Sequence, residues 1–241
     1  MFRTIKWYLK FIFSLIIRAT KIKKADKLLA LGKEQEYNDF VLNLVSTWAK
    51  GRIKDSGATV NVHGLENLPK DKGILFVSNH QSNFDIILLL AHIPLPKGFI
   101  AKIELNKFPF INKWMTRINC LFMDRNDIKQ SAKIIIEGIN QLKSGINMVV
   151  FPEGTRSKTG KLGEFKSGSF KLAVKANKPI VPLTICGTMD IMEANNYVIK
   201  PSTVNLYIHP PIYTLELTKE EITTLPSKVK TIIEKDLTYS K

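Results

Sequence analysis

A histidine and an aspartate five residues apart, His80 and Asp85, directly follow the apolar stretch 73–78. Five residues correspond to a rotation of about 140° on a helix, so one helix face cannot present both side chains. The two meet if His80 lies on a loop and Asp85 in the first turn of the following helix. The carboxylate then accepts a hydrogen bond from one ring nitrogen and leaves the other nitrogen as a base. A histidine that only makes a local hydrogen bond shows the same spacing, so the pair alone does not specify chemistry.

A second polar cluster, residues 151–157, follows another apolar stretch and contains Glu153, Gly154, Thr155 and Arg156. A glycine turn with a hydroxyl and a guanidinium offers several donors to one anion, which suits recognition of a phosphate or carboxylate. A solvated basic loop explains the lysines that follow, but not a Glu and an Arg on the two sides of the glycine. The pattern G-x-x-x-x-G-K-[ST] is absent, which excludes a P-loop.

Two further stretches place a basic residue beside acidic ones. Arg125 stands next to Asp124 and near Asp127, and Lys102 stands near Glu104. Taken alone, either group is most simply explained as a surface salt bridge.

The elements that position these residues alternate between strands and helices. Short β-branched or aromatic runs bounded by Gly, Pro, Asn or Asp predict strands at Thr59–His63, Ile74–Ser78, Phe99–Lys102, Cys120–Met123, Met148–Phe151, Ile180–Ile185 and Val204–His209. Helical periodicity predicts helices at Asn83–His92, Ile128–Ser144, Ser167–Ala176 and Ser227–Leu237. This alternation predicts an α/β fold, a largely parallel central sheet of about seven strands covered by helices. In such sheets ligands bind in the loops beyond the carboxyl ends of the strands, where the polar clusters lie.

Residues 1–57 have a different pattern and are predicted to form an N-terminal two-helix membrane-associating motif, ahead of an α/β domain at 58–241. Residues 1–27 carry eight Lys or Arg and one Asp, and a helical wheel separates most of these charges from an aromatic and aliphatic face. The apolar run Phe11–Ile17 is too short to span a membrane. A basic stripe beside such a face is typical of a helix lying in the bilayer interface. Packing on the protein's own core is the alternative. A second helix is predicted from Glu34 to Lys50.

The composition narrows the class of protein. With 44% hydrophobic and 24% charged residues, the chain is globular and neither disordered nor collagen-like. Its net charge of +15 indicates an anionic partner, which is nucleic acid, an anionic membrane surface or a phosphorylated substrate. The two cysteines, Cys120 and Cys186, exclude a disulfide-rich secreted scaffold and fit a reducing cytosol.

Together these stretches resemble the glycerolipid acyltransferase family, and most closely its 1-acylglycerol-3-phosphate acyltransferases. NHQSNFD at 79–85 matches the family's NHxSxxD motif, and FPEGTRS at 151–157 matches its third motif in full. FMDR at 122–125 is similar to the second motif, and Val181-Pro182-Leu183 is similar to the fourth. The family's pattern places Pro182 near the acyl-donor site, although a proline in a strand has an equally simple structural role. The matches keep the family's order and spacing, but Cys120 stands near where many members have Gly.

The resemblance implies acyl transfer without a covalent acyl-enzyme. A fatty acyl chain moves from an acyl thioester (acyl-CoA or acyl carrier protein) to the sn-2 hydroxyl of 1-acylglycerol-3-phosphate, giving phosphatidate for phospholipid synthesis. It implies that His80 is the general base and that Asp85 orients it. The residues expected to bind substrate, chiefly the phosphate of the acceptor, are Lys102, Arg125, Glu153, Gly154, Thr155 and Arg156. Glu153 is expected to hold Arg156 or a glycerol hydroxyl, and loop N–H groups near His80 are the expected donors to the oxyanion.

We expect no metal and no cofactor, because transfer from a thioester needs none and the sequence has no cluster of ligands at metal spacing. The expected partners are lysophosphatidate, the acyl thioester and an anionic membrane surface, with acyl carrier protein as one of two donor carriers. Nucleic acid is not expected, because the aromatic residues concentrate near the N-terminus instead of alternating with basic residues on a sheet. The expected location is the cytoplasmic face of the cell membrane, as a monotopic or peripheral protein.

Three alternatives stay open at this point. One is a related acyltransferase with glycerol-3-phosphate or another lyso-lipid as acceptor. Another is a non-catalytic basic protein that binds an anionic membrane. The third is a hydrolase that uses the same His80–Asp85 pair on a thioester and releases free fatty acid with or without an acceptor.

Overall fold

A seven-stranded sheet forms the centre of the protein in a computed structural model that describes residues 1–237. The strands are β1 (Thr59–His63), β2 (Leu75–Ser78), β3 (Lys97–Lys102), β4 (Leu121–Met123), β5 (Asn147–Val150), β6 (Ile180–Cys186) and β7 (Thr203–Ile208). Their order is β1-β7-β6-β2-β5-β3-β4, and all neighbours run parallel except β6 and β7. All seven predicted strands are present, and the largely parallel α/β architecture is confirmed.

Helices cover both faces of this sheet. They are α1 (Phe2–Ala19), α2 (Ile22–Ala30), α3 (Glu34–Ser56), α4 (Asn83–His92), α5 (Ile111–Arg117), α6 (Ile128–Lys143), α7 (Ser167–Ala176) and α8 (Lys219–Lys235). Strand β2 is buried along its whole length. Its Phe76 belongs to the core beneath α3 and α4, whereas Leu75 and Val77 belong to the core beneath α6, α7 and α8. Burial on both faces is why the parallel strands are continuous apolar runs.

The N-terminal segment contains three helices where two were predicted. The predicted first helix is divided at Thr20 and Lys21, whose N–H groups donate to the oxygens of Ile17 and Arg18, three residues back. The Thr20 hydroxyl also donates to Ile17 O at 2.7 Å. Such bonds tighten and close the last turn of a helix. Because this break depends on local hydrogen bonds, the hydrophobic periodicity gave no sign of it.

Other helix boundaries also differ from the prediction. Helix α8 begins at Lys219, ahead of the predicted start, because Thr218 and Glu221 form a capping box. Helix α3 continues to Ser56, where Gly57 adopts φ 80 and ends it. Helix α5 was not predicted, since a helix of seven residues is too short to show a periodic pattern.

Helix α1 has an inner and an outer apolar side. On the inner side Trp7 is 3% exposed, its ring lies 5.3 Å from that of Phe84, and its indole N–H donates to Arg52 O at 2.9 Å. On the outer side large apolar residues are exposed to solvent, namely Phe2, Ile5, Leu9, Ile12, Phe13, Ile16 and Ile17. Helix α1 therefore packs on the core with one side while it presents a wide apolar surface with the other. Within residues 1–237, no helix has the length and apolar content needed to cross a membrane.

Lys97 places an amine inside the protein at the start of β3. It is buried, and its Nζ donates to the backbone oxygens of Ile93 and Leu95, each at 2.8 Å. Burial lowers the pKa of Lys97 from 10.5 to about 7. A neutral amine still has two N–H groups, so both carbonyl oxygens keep their donor when the proton leaves.

We therefore expect the free energy of unfolding to rise with pH above neutrality. Between the folded pKa of about 7 and the ordinary value of 10.5, the unfolded chain binds the proton and the folded chain does not. Lys97 then adds up to about 1.4 kcal/mol of stability per pH unit. Urea unfolding at about pH 7.5 and about pH 9.5 measures this rise. Lys97→Met should remove it and Lys70→Met, at an exposed lysine, should keep it. An equal rise in wild type and Lys97→Met contradicts the assignment.

Candidate active site

The sheet topology brings the polar clusters together at the edge formed by the carboxyl ends of the parallel strands. Strands β6, β2, β5, β3 and β4 are adjacent and parallel, so their carboxyl ends point the same way. His80 follows β2, the 151–157 loop follows β5, Lys102 ends β3 and Arg125 follows β4. The predicted site residues thus gather at the edge where ligands bind in such sheets.

His80 and Asp85 are in contact, with His80 Nδ1 2.7 Å from Asp85 Oδ2. The contact forms in the predicted way, since His80 lies on the loop and Asp85 in the first turn of α4. Asp85 is fully buried. Its Oδ2 accepts the N–H groups of Gln81 and Ser82 at 2.7 and 2.9 Å, and its Oδ1 accepts the hydroxyl of Thr188 at 2.5 Å. These donors satisfy the buried carboxylate and fix the direction in which it faces the imidazole.

The His80 ring is held from its other side by the 151–157 loop. The ring of Phe151 stacks on it, with centroids 4.0 Å apart and an angle of 16° between the planes. The backbone oxygen of His80 accepts the N–H of Ser157 at 2.8 Å. The side chain of His80 is 15% exposed. With Nδ1 turned to Asp85, Nε2 is the ring nitrogen that is left for a ligand.

Glu153 is buried and joins the two loops. Its Oε1 accepts the His80 N–H and its Oε2 accepts the Gly163 N–H, both at 2.9 Å. Burial raises the pKa of Glu153, and the two N–H groups oppose that rise. The expectation that Glu153 holds Arg156 was wrong, because the carboxylate points inward to backbone donors. Arg156 instead pairs with Glu193, which lies 2.9 Å from its Nη1.

The remaining predicted residues surround the same loop. Arg125 donates to the carbonyl oxygen of Gly154. Arg125 is exposed, but neighbouring atoms remove part of the water around its guanidinium, which lowers its pKa, and Glu104 opposes that effect. Gly154 has φ 74, a conformation that favours glycine and lets the loop turn here.

Thr155 and Lys102 are exposed at the rim of this edge, and Thr155 lines an open cleft together with Glu153, Ser157, Lys161 and Lys166. Pro182 is buried inside β6, where it pairs with Val77 of β2. Val77 is the next-to-last residue of β2, so Pro182 lies inside the sheet near the carboxyl end of that strand.

The loop N–H groups near His80 are already used within the protein. His80 donates to Glu153, and Gln81 and Ser82 donate to Asp85. The next two N–H groups along the chain donate to Glu193 and to the Ser82 hydroxyl. The expectation that these groups stabilise an oxyanion was therefore wrong, since each already has an acceptor.

Three residues of the site were missed by the sequence analysis: Phe151, Thr188 and Glu193. Phe151 is the first residue of a motif that was found, but its stacking on His80 required the two loops to be adjacent. Thr188 and Glu193 follow β6, so the rule about strand ends would have identified this segment as well. Among the described residues, no group of three or more His, Cys, Asp or Glu side chains is arranged to hold a metal ion.

Comparisons with known proteins show the family to which the chain is similar. The family model described as Acyltransferase matches residues 59–186. A probable 1-acyl-sn-glycerol-3-phosphate acyltransferase of Mycoplasma pneumoniae is 42% identical over 143 residues, 57% of this chain and 53% of that protein. The 1-acyl-sn-glycerol-3-phosphate acyltransferase of Borreliella burgdorferi is 30% identical over 182 residues, 76% of this chain and 73% of that protein.

A solved structure extends the similarity to the whole fold. The crystal structure of the 1-acyl-sn-glycerophosphate (LPA) acyltransferase PlsC from Thermotoga maritima matches with a TM-score of 0.80 and 30% identity, covering 99% of this chain and 100% of that one. The chain nevertheless spans only about half of the length of some curated relatives, 53% of the Mycoplasma pneumoniae protein among them. The family match ends at residue 186, before Thr188 and Glu193.

We expect Glu153→Gln to destabilise the fold by about 1–3 kcal/mol, because glutamine has one carbonyl oxygen for two buried N–H donors. Urea unfolding measures the change. The matched control is Glu164→Gln, since Glu164 is exposed in the same loop region. Equal stability of the two variants contradicts the role of Glu153 as the link between the loops.

Proposed function

The chain belongs to the acyltransferase family, and from this membership we propose that it transfers a fatty acyl chain to the sn-2 hydroxyl of 1-acylglycerol-3-phosphate. The donor is an acyl thioester, either acyl-CoA or acyl carrier protein, and the product is phosphatidate. The observation that carries the proposal is the 2.7 Å contact between His80 and Asp85 at the edge where two arginines also lie. The names of the relatives in Mycoplasma pneumoniae and Borreliella burgdorferi support the choice of acceptor.

His80 is the general base in this proposal. Because Asp85 accepts a hydrogen bond from Nδ1–H, Nε2 is unprotonated in the neutral ring and takes the proton of the acceptor hydroxyl. The hydroxyl oxygen attacks the thioester carbonyl carbon, and the carbon–sulfur bond breaks as the ester bond forms. The leaving thiolate then takes the proton from Nε2. The buried Asp85 carboxylate stabilises the imidazolium in the interval. No metal or cofactor takes part in this scheme.

The two arginines bind the phosphate of the acceptor in this proposal. The side chain of Arg156 is 37% exposed, with Nη1 on Glu193. Arg125 is exposed, with Nη1 on the Gly154 oxygen. A guanidinium has five N–H donors, so one contact with the protein orients it and leaves the others for phosphate oxygens. Gly154 and Thr155 complete the rim of the site, and Lys102 adds a further positive charge there, while Glu153 acts by holding the His80 loop.

Thiol release from palmitoyl-CoA, with and without 1-acylglycerol-3-phosphate, tests the reaction. We expect release that depends on the acceptor and that yields phosphatidate. His80→Ala should lower the rate about 10²- to 10⁴-fold, since it removes the general base. His63→Ala is the matched control, because His63 is exposed and stacks on Tyr207 in the sheet.

Other outcomes separate the alternatives. Release without an acceptor indicates a hydrolase. Transfer only to glycerol-3-phosphate or to another lyso-lipid indicates a related acyltransferase. Absence of transfer with both palmitoyl-CoA and palmitoyl acyl carrier protein, whichever acceptor is supplied, overturns the proposal. Full activity of His80→Ala contradicts the role of the base.

We also propose that the outer face of α1 lies in the cytoplasmic surface of the cell membrane, where the lipid acceptor is found. The exposed residues Ile5, Leu9 and Ile12 supply apolar area, and the lysines and arginines of residues 1–27 attract anionic headgroups. Such a helix binds the interface without crossing it. The net charge of +15 fits both the membrane and the anionic acceptor.

Replacement of Ile5, Leu9 and Ile12 together by Ser should weaken vesicle binding by about tenfold or more, because three exposed apolar side chains are then no longer available to enter the bilayer. Co-sedimentation with vesicles containing anionic lipid measures the binding. Deletion of the helix is a poorer test, since Trp7 is part of the core. Ile136→Ser, at an exposed position on α6, is the control. Unchanged binding of the triple variant contradicts the membrane assignment of this face.

A further inference from the structure

Glu193 accepts three hydrogen bonds from two different loops. It begins a short 3-10 turn in the segment that follows β6, and its side chain is 12% exposed. Its Oε1 accepts the backbone N–H of Asn83 and Nη1 of Arg156, both at 2.9 Å. Its Oε2 accepts the hydroxyl of Ser82 at 2.5 Å. One carboxylate therefore links the start of α4 to the 151–157 loop.

The contact with Ser82 orders the beginning of α4. Because the Ser82 hydroxyl gives its hydrogen to Glu193, its oxygen is turned to accept the Phe84 N–H at 3.0 Å. Ser82 is the N-cap of α4, and its own N–H donates to Asp85. Glu193 thus supports the turn from which Asp85 reaches His80.

The same contacts close the N-terminus of α4 to other anions. The first N–H groups of this helix are taken by Glu193 and the Ser82 hydroxyl, and those just before it by Asp85. A phosphate therefore finds no open helix N-terminus at α4. Glu193 forms an ion pair with Arg156, which makes this guanidinium the candidate to bind the phosphate.

Arg156 is directed by this contact. A guanidinium on a long flexible side chain must lose rotamer freedom before it can bind phosphate with two parallel N–H bonds. The ion pair with Glu193 restricts Arg156 before the ligand arrives. The negative charge of Glu193 is offset by Arg156 and by the positive end of α4, which limits its repulsion of a phosphate.

We propose that Glu193 is a positioning residue, which holds Arg156 in the orientation that binds the phosphate of the acceptor lipid. The inference rests on the proposed function and adds a specificity determinant to it. Glu193 acts through Arg156 and has no contact with the reacting hydroxyl in this scheme.

Glu193→Gln tests the inference, since glutamine is similar in size but cannot pair with a guanidinium as a carboxylate does. We expect the KM for 1-acylglycerol-3-phosphate to rise about tenfold, with less than about threefold change in kcat and in the KM for the acyl thioester. Any use of a monoacylglycerol acceptor, which lacks the phosphate, should fall by a smaller factor than use of 1-acylglycerol-3-phosphate. Glu193→Asp, which keeps the charge on a shorter side chain, should recover part of the acceptor KM. Glu66→Gln, at an exposed position, is the matched control.

A double-mutant cycle with Arg156→Ala separates positioning from support of the fold. If Glu193 acts through Arg156, Glu193→Gln should raise the acceptor KM by less than about twofold in the Arg156→Ala background. If Glu193→Gln raises the acceptor KM by the same factor with Arg156 present and with Arg156→Ala, the inference is overturned. An unchanged or lower acceptor KM also overturns it, as do equal losses with phosphate-bearing and neutral acceptors. Absence of transfer by the wild type overturns the proposed function itself, whereas active wild type without the KM effect overturns only this inference.

Discussion

The burial of one carboxylate, that of Asp85, is the constraint on which the site depends. An ionised side chain is costly inside a protein unless several donors replace its water. Here two backbone N–H groups, the Thr188 hydroxyl and the His80 ring are within hydrogen-bond distance. Those donors come from the loop after β2 and from the segment after β6, so both must be in place together. The orientation of His80 follows from this requirement.

Acidic and basic side chains have separate tasks around this centre. Glu153 and Glu193 turn toward the protein, where they accept N–H and hydroxyl groups that connect neighbouring loops. Arg125 and Arg156 each have one contact with a loop acceptor and remain partly open to solvent. The two glutamates hold the loops at this edge in place. The two arginines give the edge the positive field that binding of an anionic group needs.

Helix α1 contacts two of the elements that build the site, while its outer face is exposed to solvent. The inner side of α1 places Trp7 in the same core as Phe84 of α4. One of its polar side chains contacts the segment after β6, since the Ile199 N–H donates to the Thr4 hydroxyl at 3.0 Å. That segment also carries Thr188 and Glu193. A helix with an exposed apolar face is therefore packed directly against the segment that supports His80 and Arg156, which suits the lipid acceptor proposed above.

The sequence by itself determined the strands, most helices, the strand-end position of the polar clusters and the family they resemble, because periodicity and short motifs are local properties. It also determined that His80 and Asp85 could meet only across a loop and a helix start. Tertiary structure alone decided that Glu193, and not Glu153, pairs with Arg156, and that the N–H groups beside His80 are occupied. It also decided which side of α1 faces the core. Most of these outcomes depend on contacts between residues far apart in the chain, such as His80 with Glu153 and Arg156 with Glu193, whose partners no local pattern specifies.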